Sequence, residues 1–180
     1  IWMNTLDTYM KNGGKTADIK KLANDEGITI EDCIGFAQWI VDDETKRIEG
    51  LDQLKREMDL LAQIGCKRVA NPPIGATNEP GLSLYQAADR FGRVVELGKK
   101  MGVKPQLEMW GFSKNLHLIG ETLLVASECG HEDALLLLDV YHMRRGGSPT
   151  QSLDYVRGGD IEVFHMNDYP QVDDRNKLTD

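Results

Sequence analysis

Three side chains that can bind a metal ion or move a proton stand at the ends of three successive apolar segments. Glu108 follows "PQL", Asp139 follows "ALLLL" and His165 follows "IEVF". Asp139 comes 31 residues after Glu108 and 26 before His165, and each interval is about the length of one strand with its helix. Two carboxylates and an imidazole suit Mn²⁺, Mg²⁺, Co²⁺ or Zn²⁺ better than a metal that prefers thiolates. The sequence therefore predicts a site for one divalent metal ion.

Each of these three residues also has an ordinary structural explanation when it is taken alone. An Asp at the end of a strand often caps the helix that follows, and a single His is more often a structural group than a ligand. These separate explanations do not readily account for three successive strands that all end in a residue able to bind a metal ion. The metal site is therefore the preferred interpretation.

Aromatic residues follow some of the same apolar segments. Trp39, Trp110 and Phe112 lie just beyond predicted strand ends. There they could form the wall of a sugar pocket, since an aromatic ring offers a flat apolar surface, or they could simply pack. Of the three, Trp110 is the predicted substrate-binding residue.

Two polar positions near the predicted metal site could bind a substrate. Arg144, followed by Arg145, could hold a phosphate or carboxylate, although an exposed basic pair is usually only solvated. Asp168, three residues after His165, could orient a ligand or bind a substrate hydroxyl group. Both are candidate substrate-binding residues.

A scaffold must bring these strand ends together, and the sequence repeats one pattern in which a helix ends in glycine before a short apolar strand. Ile1 and Trp2 read as the tail of a strand that leads into an amphipathic helix. The helix over 42–65 is predicted to bury Ile48, Leu51, Leu54, Met58 and Leu61. Ser83 is predicted to cap the helix that Gly102 ends, and Asn115 to cap the one after it. The predicted helices are 16–27, 42–65, 84–102, 116–130 and 149–157, and the predicted strands are 28–36, 66–73, 104–112, 134–139 and 161–168.

Alternation of strands and helices implies a parallel α/β sheet with right-handed crossovers. Two architectures fit it, an open doubly wound sheet and a closed (β/α)8 barrel. The open sheet usually carries a glycine-rich turn after its first strand, and neither GxGxxG nor GxxxxGK[ST] occurs. In a barrel, chemistry is built from the carboxyl ends of several strands. The sequence favours a single barrel domain over 1–180.

Composition and charge narrow the classes of partner. The 180 residues carry a formal charge of −8, which disfavours nucleic acid and favours a small polar substrate. Cys33, Cys66 and Cys129 are odd in number and far apart, so a reducing, cytoplasmic setting is expected. No apolar run approaches the roughly 20 residues that a membrane span needs. The sequence leaves open whether the protein forms a homo-oligomer.

Glu108, "DVYH" at 139–142 and "FHMND" at 164–168 on successive strands resemble the xylose isomerase-like TIM barrels. That superfamily contains sugar phosphate isomerases and epimerases, ketose 3-epimerases, inosose dehydratase and endonuclease IV. Its members hold one divalent metal ion through Glu, Asp, His and Glu on four successive strands. The resemblance implies that Glu108, Asp139 and His165 are the first three ligands. A fourth, on the eighth strand, has no counterpart before Asp180, so the barrel is expected to be incomplete at both ends, with about strands 2 to 7.

The resemblance also implies an activity. The expected enzyme is a metal-dependent isomerase or epimerase of a small polyhydroxylated substrate, in which Glu108 transfers a proton and the metal stabilises an enediolate. A dehydratase or lyase on a keto-polyol is an alternative, and so is a barrel that binds sugar or metal without turnover. DNA endonuclease activity is disfavoured, because the early strands contain no His.

His142 has two roles among the members of this superfamily. A His at this DxxH position contacts substrate in the epimerase-like members, whereas in endonuclease IV it binds an additional zinc ion. Residues three apart on a strand point to opposite faces. His142 is therefore predicted to reach the substrate only if the chain turns directly after Asp139.

Overall fold

The computed structural model describes residues 1–178, which form one parallel sheet with helices packed against it. The strands lie side by side in chain order: β1 Cys33–Ile34, β2 Arg68–Asn71, β3 Lys104–Glu108, β4 Leu135–Asp139 and β5 Ile161–His165. The helices are α1 Met3–Lys11, α2 Thr16–Asp25, α3 Glu44–Ile64, α4 Leu84–Met101, α5 Ile119–Glu128 and α6 Val140–Gly146. Short 3₁₀ helices cover Thr150–Tyr155, Gly158–Asp160 and Arg175–Lys177. Helices link successive parallel strands, as the alternating pattern predicts.

The long helices α3 and α4 begin and end where their capping residues predict. The Asp43 side chain accepts a hydrogen bond from the backbone N–H of Lys46 at 3.0 Å, and α3 ends at Gly65 with φ of 86°. Ser83 caps α4 in the same way, and Gly102 ends it with φ of 70°. Because glycine adopts positive φ without a side-chain clash, it can end a helix and turn the chain toward the next strand.

The predicted cap of α5 is wrong. The helix begins at Ile119, after Leu118, and Asn115 lies in the preceding loop. The Asn115 amide instead donates to the carbonyl oxygens of Ala76 and Glu79, at 2.5 and 2.7 Å. Asn115 therefore ties two loops together, because its amide satisfies carbonyl groups that would otherwise lack these partners.

The buried face of α3 also differs from the prediction at one position. Leu54, Met58 and Leu61 are buried as predicted, but Ile48 is 55% exposed. Gly50 takes its place near the start of the helix, since a Cβ there would lie 2.7 Å from the carbonyl oxygen of Gln38. The loop before α3 therefore packs directly against the helix backbone.

The sheet is strongly curved. This follows from a contact between side chains of β2 and β5, which are separated by two strands. Arg68 Nε lies 2.6 Å from Glu162 Oε2, and Lys104 pairs with the other oxygen of Glu162. In a flat sheet, β2 and β5 would be about 14 Å apart, at roughly 4.8 Å per strand. The concave face is thus closed at its amino end by a cluster of charged side chains.

A β-bulge places Glu162 in that cluster. The pairing of β4 with β5 shifts between Leu136 and Leu137, so that Ile161 pairs with Leu136 and Val163 with Leu137. Ile161 packs against the core, while Val163 and His165 lie opposite Leu137 and Asp139. Ile161 and His165 therefore lie on opposite faces of the sheet although they are four residues apart, because the extra residue reverses the alternation.

The chain start extends the sheet beyond β1. Trp2 forms a parallel bridge with Ile34, and the Ile34 N–H donates to the carbonyl oxygen of Ile1 at 2.8 Å. Ile1 and Trp2 therefore behave as the end of a strand, as the sequence predicts.

The main hydrophobic core lies between the sheet and the helices. Phe91 of α4 is fully buried and its ring centroid lies 5.5 Å from that of Trp39. The Trp39 indole donates to the carbonyl oxygen of Pro72 at 2.9 Å. Trp39 is therefore a packing residue, which was the simpler of its two interpretations. Within residues 1–178, no helix has the length and apolarity that crossing a membrane would require.

A carboxyl group is buried on the side of α3 that faces α1. Glu57 is 5% exposed; its Oε1 accepts from Gln53 at 2.7 Å, and its Oε2 has no hydrogen-bond partner in the described part of the chain. It borders a cavity of about 350 Å³ together with Asp7. Burial raises the pKa of Glu57, and the nearby charge of Asp7 raises it further.

We predict that Glu57→Gln makes stability less dependent on pH. Because the folded-state pKa is raised, the unfolded chain loses this proton first, so the free energy of unfolding falls as pH rises above the ordinary Glu value of 4.5. The neutral amide removes that loss. Thermal melts from about pH 4 to pH 7 should show the Tm advantage of Glu57→Gln growing with pH, roughly 2–4 °C per kcal/mol. Glu49→Gln, an exposed change on the same helix, should run parallel to the wild type.

Candidate active site

An open pocket of about 1110 Å³ lies at the carboxyl ends of the strands. Parallel strands in chain order put all their carboxyl ends on one edge, so residues distant in sequence meet there. Six of the seven predicted site residues line this pocket: Glu108, Trp110, Asp139, His142, His165 and Asp168.

Glu108 is the last residue of β3 and is 2% exposed. Its Oε2 lacks a hydrogen-bond partner among the residues described. Burial, with the negative charge of Asp32, raises the pKa of Glu108 to about 8, a hydrogen bond from Trp110 lowers it, and Asp139 raises it again. A carboxyl group with such a pKa can both accept and give a proton near neutral pH.

Asp139 and His165 stand opposite each other at the ends of neighbouring strands. They are register partners in the β4–β5 pairing, and Asp139 is 1% exposed. His165 Nδ1 lies 3.7 Å from Asp139 Oδ2, to which the Asn167 amide donates a hydrogen bond. The strand register therefore fixes a carboxylate and an imidazole side by side.

Asp139 also caps α6, so the structural interpretation of this residue holds beside the functional one. Its Oδ1 accepts hydrogen bonds from the backbone N–H groups of Tyr141 and His142, at 2.7 and 3.2 Å. The chain thus turns into a helix immediately after the strand. One oxygen of Asp139 holds this turn and the other faces His165.

The turn brings His142 into the pocket, where it lies among aromatic rings. Its ring centroid is 6.3 Å from Trp110, 5.7 Å from Phe112 and 5.3 Å from Tyr141. The condition for His142 to face a substrate, a turn directly after Asp139, is therefore met.

Two glycines allow α6 to press against the loop after β3. A Cβ on Gly111 would lie 2.3 Å from the carbonyl oxygen of His142 and 2.7 Å from the backbone nitrogen of Gly146. A Cβ on Gly146 would lie 2.0 Å from the carbonyl oxygen of His117. The aromatic side chains of the pocket are thus positioned by backbone contacts that any larger residue would separate.

Asp32, which precedes β1, is a site residue that the sequence analysis missed. Its Oδ1 accepts from the Gln106 amide at 3.1 Å, and its Oδ2 lies 3.8 Å from His165 Nε2. Burial raises the pKa of Asp32, and a backbone hydrogen bond and the charge of His165 lower it. Asp32 lies at the start of its strand rather than at the end. The feature of the sequence that indicates this residue is the pair of acidic residues, "ED", inside an otherwise apolar predicted strand.

The two remaining polar candidates are exposed. Asp168 lines the pocket, and its Oδ1 accepts from the N–H of Tyr169 at 2.8 Å. Arg144 lies outside the pocket lining of the described chain, and its guanidinium donates to the carbonyl oxygen of Val172 at 3.1 Å. Substrate binding by either residue stays a prediction.

The donor set fits a divalent ion chemically. Two ligands of one ion at 2.0–2.2 Å each lie roughly 3–4 Å apart, and the 3.7 Å between His165 Nδ1 and Asp139 Oδ2 falls in this range. Glu108 lines the same pocket, and its Oε2 is buried without a hydrogen-bond partner among the residues described. As the side chains lie, however, no three His, Cys, Asp or Glu groups within residues 1–178 are gathered closely enough to hold an ion.

Comparison with known families assigns the fold. The model of the xylose isomerase-like TIM barrel family matches residues 3–179. The chain belongs to this family. The predicted α/β barrel architecture is confirmed, and the described strands form a curved, incomplete part of such a barrel. No curated protein matches the sequence.

Solved structures of the xylose isomerase-like fold superpose well. The IOLI protein with a bound zinc atom is 20% identical, with a TM-score of 0.85 over 96% of this chain and 63% of that one. D-allulose 3-epimerase from Methylomonas sp., in complex with D-allulose, is 18% identical, with a TM-score of 0.69 over 84% and 56%. L-ribulose 3-epimerase is 21% identical, with a TM-score of 0.64 over 72% and 47%. The chain thus spans less than two thirds of each of these proteins, and the likeness establishes the fold.

We predict that the contribution of the Asp139 helix cap to the free energy of unfolding can be distinguished from the contribution of its charge. Asp139→Ala removes the acceptor for two backbone N–H groups and should lower the free energy of unfolding by about 0.5–2 kcal/mol. Asp139→Asn keeps the acceptor oxygen of the cap but replaces the oxygen that accepts from Asn167 with an N–H donor, so it should lower the free energy of unfolding by less than Asp139→Ala does. Urea unfolding followed by circular dichroism measures both. Equal destabilisation by the two substitutions would contradict a stabilising role of the cap.

Proposed function

We propose that the protein is a divalent-metal-dependent isomerase or epimerase of a small polyhydroxylated substrate, a sugar, sugar phosphate or inosose. The observation that carries the proposal is the pairing of two features in one pocket. Glu108 is a buried carboxyl group with a pKa of about 8 and a free oxygen, and it faces the pocket that Asp139 and His165 share. Proton transfer needs the first feature, and charge stabilisation needs the second.

Glu108 is the group that moves the proton. In the ion-free site, burial and the charge of Asp32 raise its pKa, so its carboxylate is a stronger base than that of an ordinary glutamate. Removing the carboxyl group should therefore slow turnover, because both the base and a donor to the ion are lost.

Asp139 and His165, with the free oxygen of Glu108, would hold the divalent ion. Bound there, the ion would act as a Lewis acid toward the negative charge that develops on a substrate oxygen when the adjacent carbon loses its proton. Asp139 keeps its position through the α6 cap, so the carboxylate is held by the backbone before any ion binds.

The pocket wall suits a sugar. The rings of Trp110 and Phe112 are in contact, with 5.0 Å between their centroids and a tilt of 39°, and His142 stands beside them with polar ring nitrogens. Flat aromatic surfaces pack against the C–H faces of a sugar, while imidazole and carboxylate groups such as Asp168 bind its hydroxyl groups. The sugar epimerases among the superposing structures support this substrate class.

The first test is metal binding by the purified protein. We expect about one Mn²⁺ or Zn²⁺ per chain in the wild type, and a large loss of affinity in His165→Ala and Glu108→Gln, because each removes a donor. His131→Ala and Glu96→Gln are the matched controls, since both residues lie together on the outside of the fold, away from the pocket lining. A wild type that binds no divalent ion, or substitutions without effect, would contradict the metal site.

The second test is proton exchange in D₂O with a panel of ketoses and inososes, read by NMR. The wild type with metal should incorporate deuterium at the carbon next to the carbonyl group of its substrate. With enough metal present to saturate both proteins, Glu108→Gln should slow this exchange by roughly 10²–10⁴-fold, the usual contribution of a general base. His131→Ala should exchange at the wild-type rate. Metal binding without exchange on any member of the panel would favour a barrel that binds but does not turn over.

A further inference from the structure

Asp32 is a buried carboxylate that the proposed reaction does not use. Its side chain is 8% exposed, and it lines the pocket below the strand ends. Gln106, which is completely buried, holds one of its oxygens through a hydrogen bond of 3.1 Å. Over residues 1–178 the other oxygen, Oδ2, has no hydrogen-bond partner. A buried carboxylate with one fixed and one free oxygen is already oriented toward whatever the free oxygen faces.

The free oxygen faces His165. The imidazole lies between two carboxylates, with Nδ1 at 3.7 Å from Asp139 and Nε2 at 3.8 Å from Asp32. The two ring nitrogens point in different directions, so they can serve different partners. One can bind an ion while the other donates its proton to a carboxylate.

Depth in the fold decides which nitrogen serves which partner. Gln106 lies two residues before Glu108 on the same face of β3, so it is about 7 Å deeper in the sheet. Asp32 lines the pocket, and its hydrogen bond to Gln106 joins it to this deeper layer. Asp139 stands at the strand end, level with the pocket. Nδ1 therefore faces the layer of the proposed ion, and Nε2 faces the layer below it.

We propose that Asp32 is a positioning residue that accepts the Nε2 proton of His165 and thereby presents Nδ1, beside Asp139, to a divalent ion. Such a carboxylate fixes the tautomer and the orientation of the ring, and makes the ligating nitrogen more basic. The 3.8 Å separation exceeds a hydrogen bond by under about 1 Å, and contacts of this kind commonly shorten when a site is filled. This inference rests on the proposed function, since it takes His165 to be a metal ligand.

The competing explanation is that Asp32 only satisfies the amide of Gln106. Under that explanation, loss of the carboxylate would disturb the fold but not the ionic state or exchange of the His165 ring. Glu31 provides a matched control, because it is the adjacent residue, carries the same charge and lies at the pocket, yet it is exposed and pairs with Arg68 at 2.9 Å.

The test compares Asp32→Leu, Asp32→Asn and Glu31→Gln in two measurements. Calorimetric titration of the metal-free protein with Zn²⁺ alone should give a 10–100-fold weaker affinity for Asp32→Leu, as expected for loss of a group that supports a ligating His. Asp32→Asn retains an acceptor oxygen and should recover part of the affinity. Glu31→Gln removes the same charge and should stay within about threefold, because exposed charges are screened.

The second measurement is ¹⁵N NMR of the His side chains, with His165 assigned through His165→Ala. In the wild type, the Nε2 proton of His165 should exchange with solvent more slowly than in Asp32→Leu, and Zn²⁺ should shift the Nδ1 resonance. Zn²⁺ bound at Nε2, equal proton exchange in the two proteins, or an equal loss of affinity in Asp32→Leu and Glu31→Gln would each overturn the proposal.

Failure of this inference is distinguishable from failure of the proposed function. If the wild type binds no Zn²⁺, the proposed metal site fails, while proton exchange in the metal-free protein still decides whether Asp32 holds Nε2. If Zn²⁺ binds and Asp32→Leu changes neither affinity nor exchange, only the role of Asp32 is rejected. Should Asp32→Leu not fold, Asp32→Asn and the wild-type assignment of the metal-bound nitrogen give the answer.

Discussion

The curvature of the sheet is the constraint on which the pocket depends. Glu162 joins Arg68 of β2 to Lys104 of β3, and those two cations hold the pKa of its carboxyl group below the usual range. At this contact, β5 lies close to β2 at the amino end of the strands. Because the strands are stiff, the same bend brings their carboxyl ends together, so that Asp32 before β1 lies within reach of His165 on β5. A flat arrangement of the same five strands would leave these two residues too far apart to share a site.

The position of the three candidate residues at strand ends was predictable because it follows local rules. Glu108, Asp139 and His165 each end an apolar run, and parallel pairing needs only chain order to bring such ends to one edge. The helix limits at Ser83 and Gly102 were predictable for the same reason, since caps and left-handed glycines act on their immediate neighbours. Structural features are therefore predictable from the sequence where the residues that determine them lie within a few positions of each other.

The features that the sequence does not predict correctly depend instead on residues that are far apart in the chain. The local sequence around Asn115 predicts a helix cap. The loop that its amide satisfies lies more than 30 residues away in sequence, so no neighbouring residue indicates that contact. The bulge at Glu162 is set by its cross-sheet partners, and no local signal shows that Ile161 and His165 are on different faces. Asp32 was missed because its significance comes from Gln106 and His165, which lie on other strands. Contacts between segments that are distant in sequence, and not local propensity, determine these positions.

The glycine contact between α6 and the loop after β3 positions one wall of this pocket. Glu108, Asp139 and His165 sit on strand ends, which the whole sheet holds in place. The rings of Trp110 and Phe112 sit on a loop that packs against α6 through the backbones of Gly111 and Gly146. Phe112 can therefore be exchanged without separating these backbones, whereas exchange of Trp110 also removes a hydrogen bond to the Glu108 carboxyl group. Trp110 thus couples the shape of the pocket wall to the ionisation of the carboxyl group at its base.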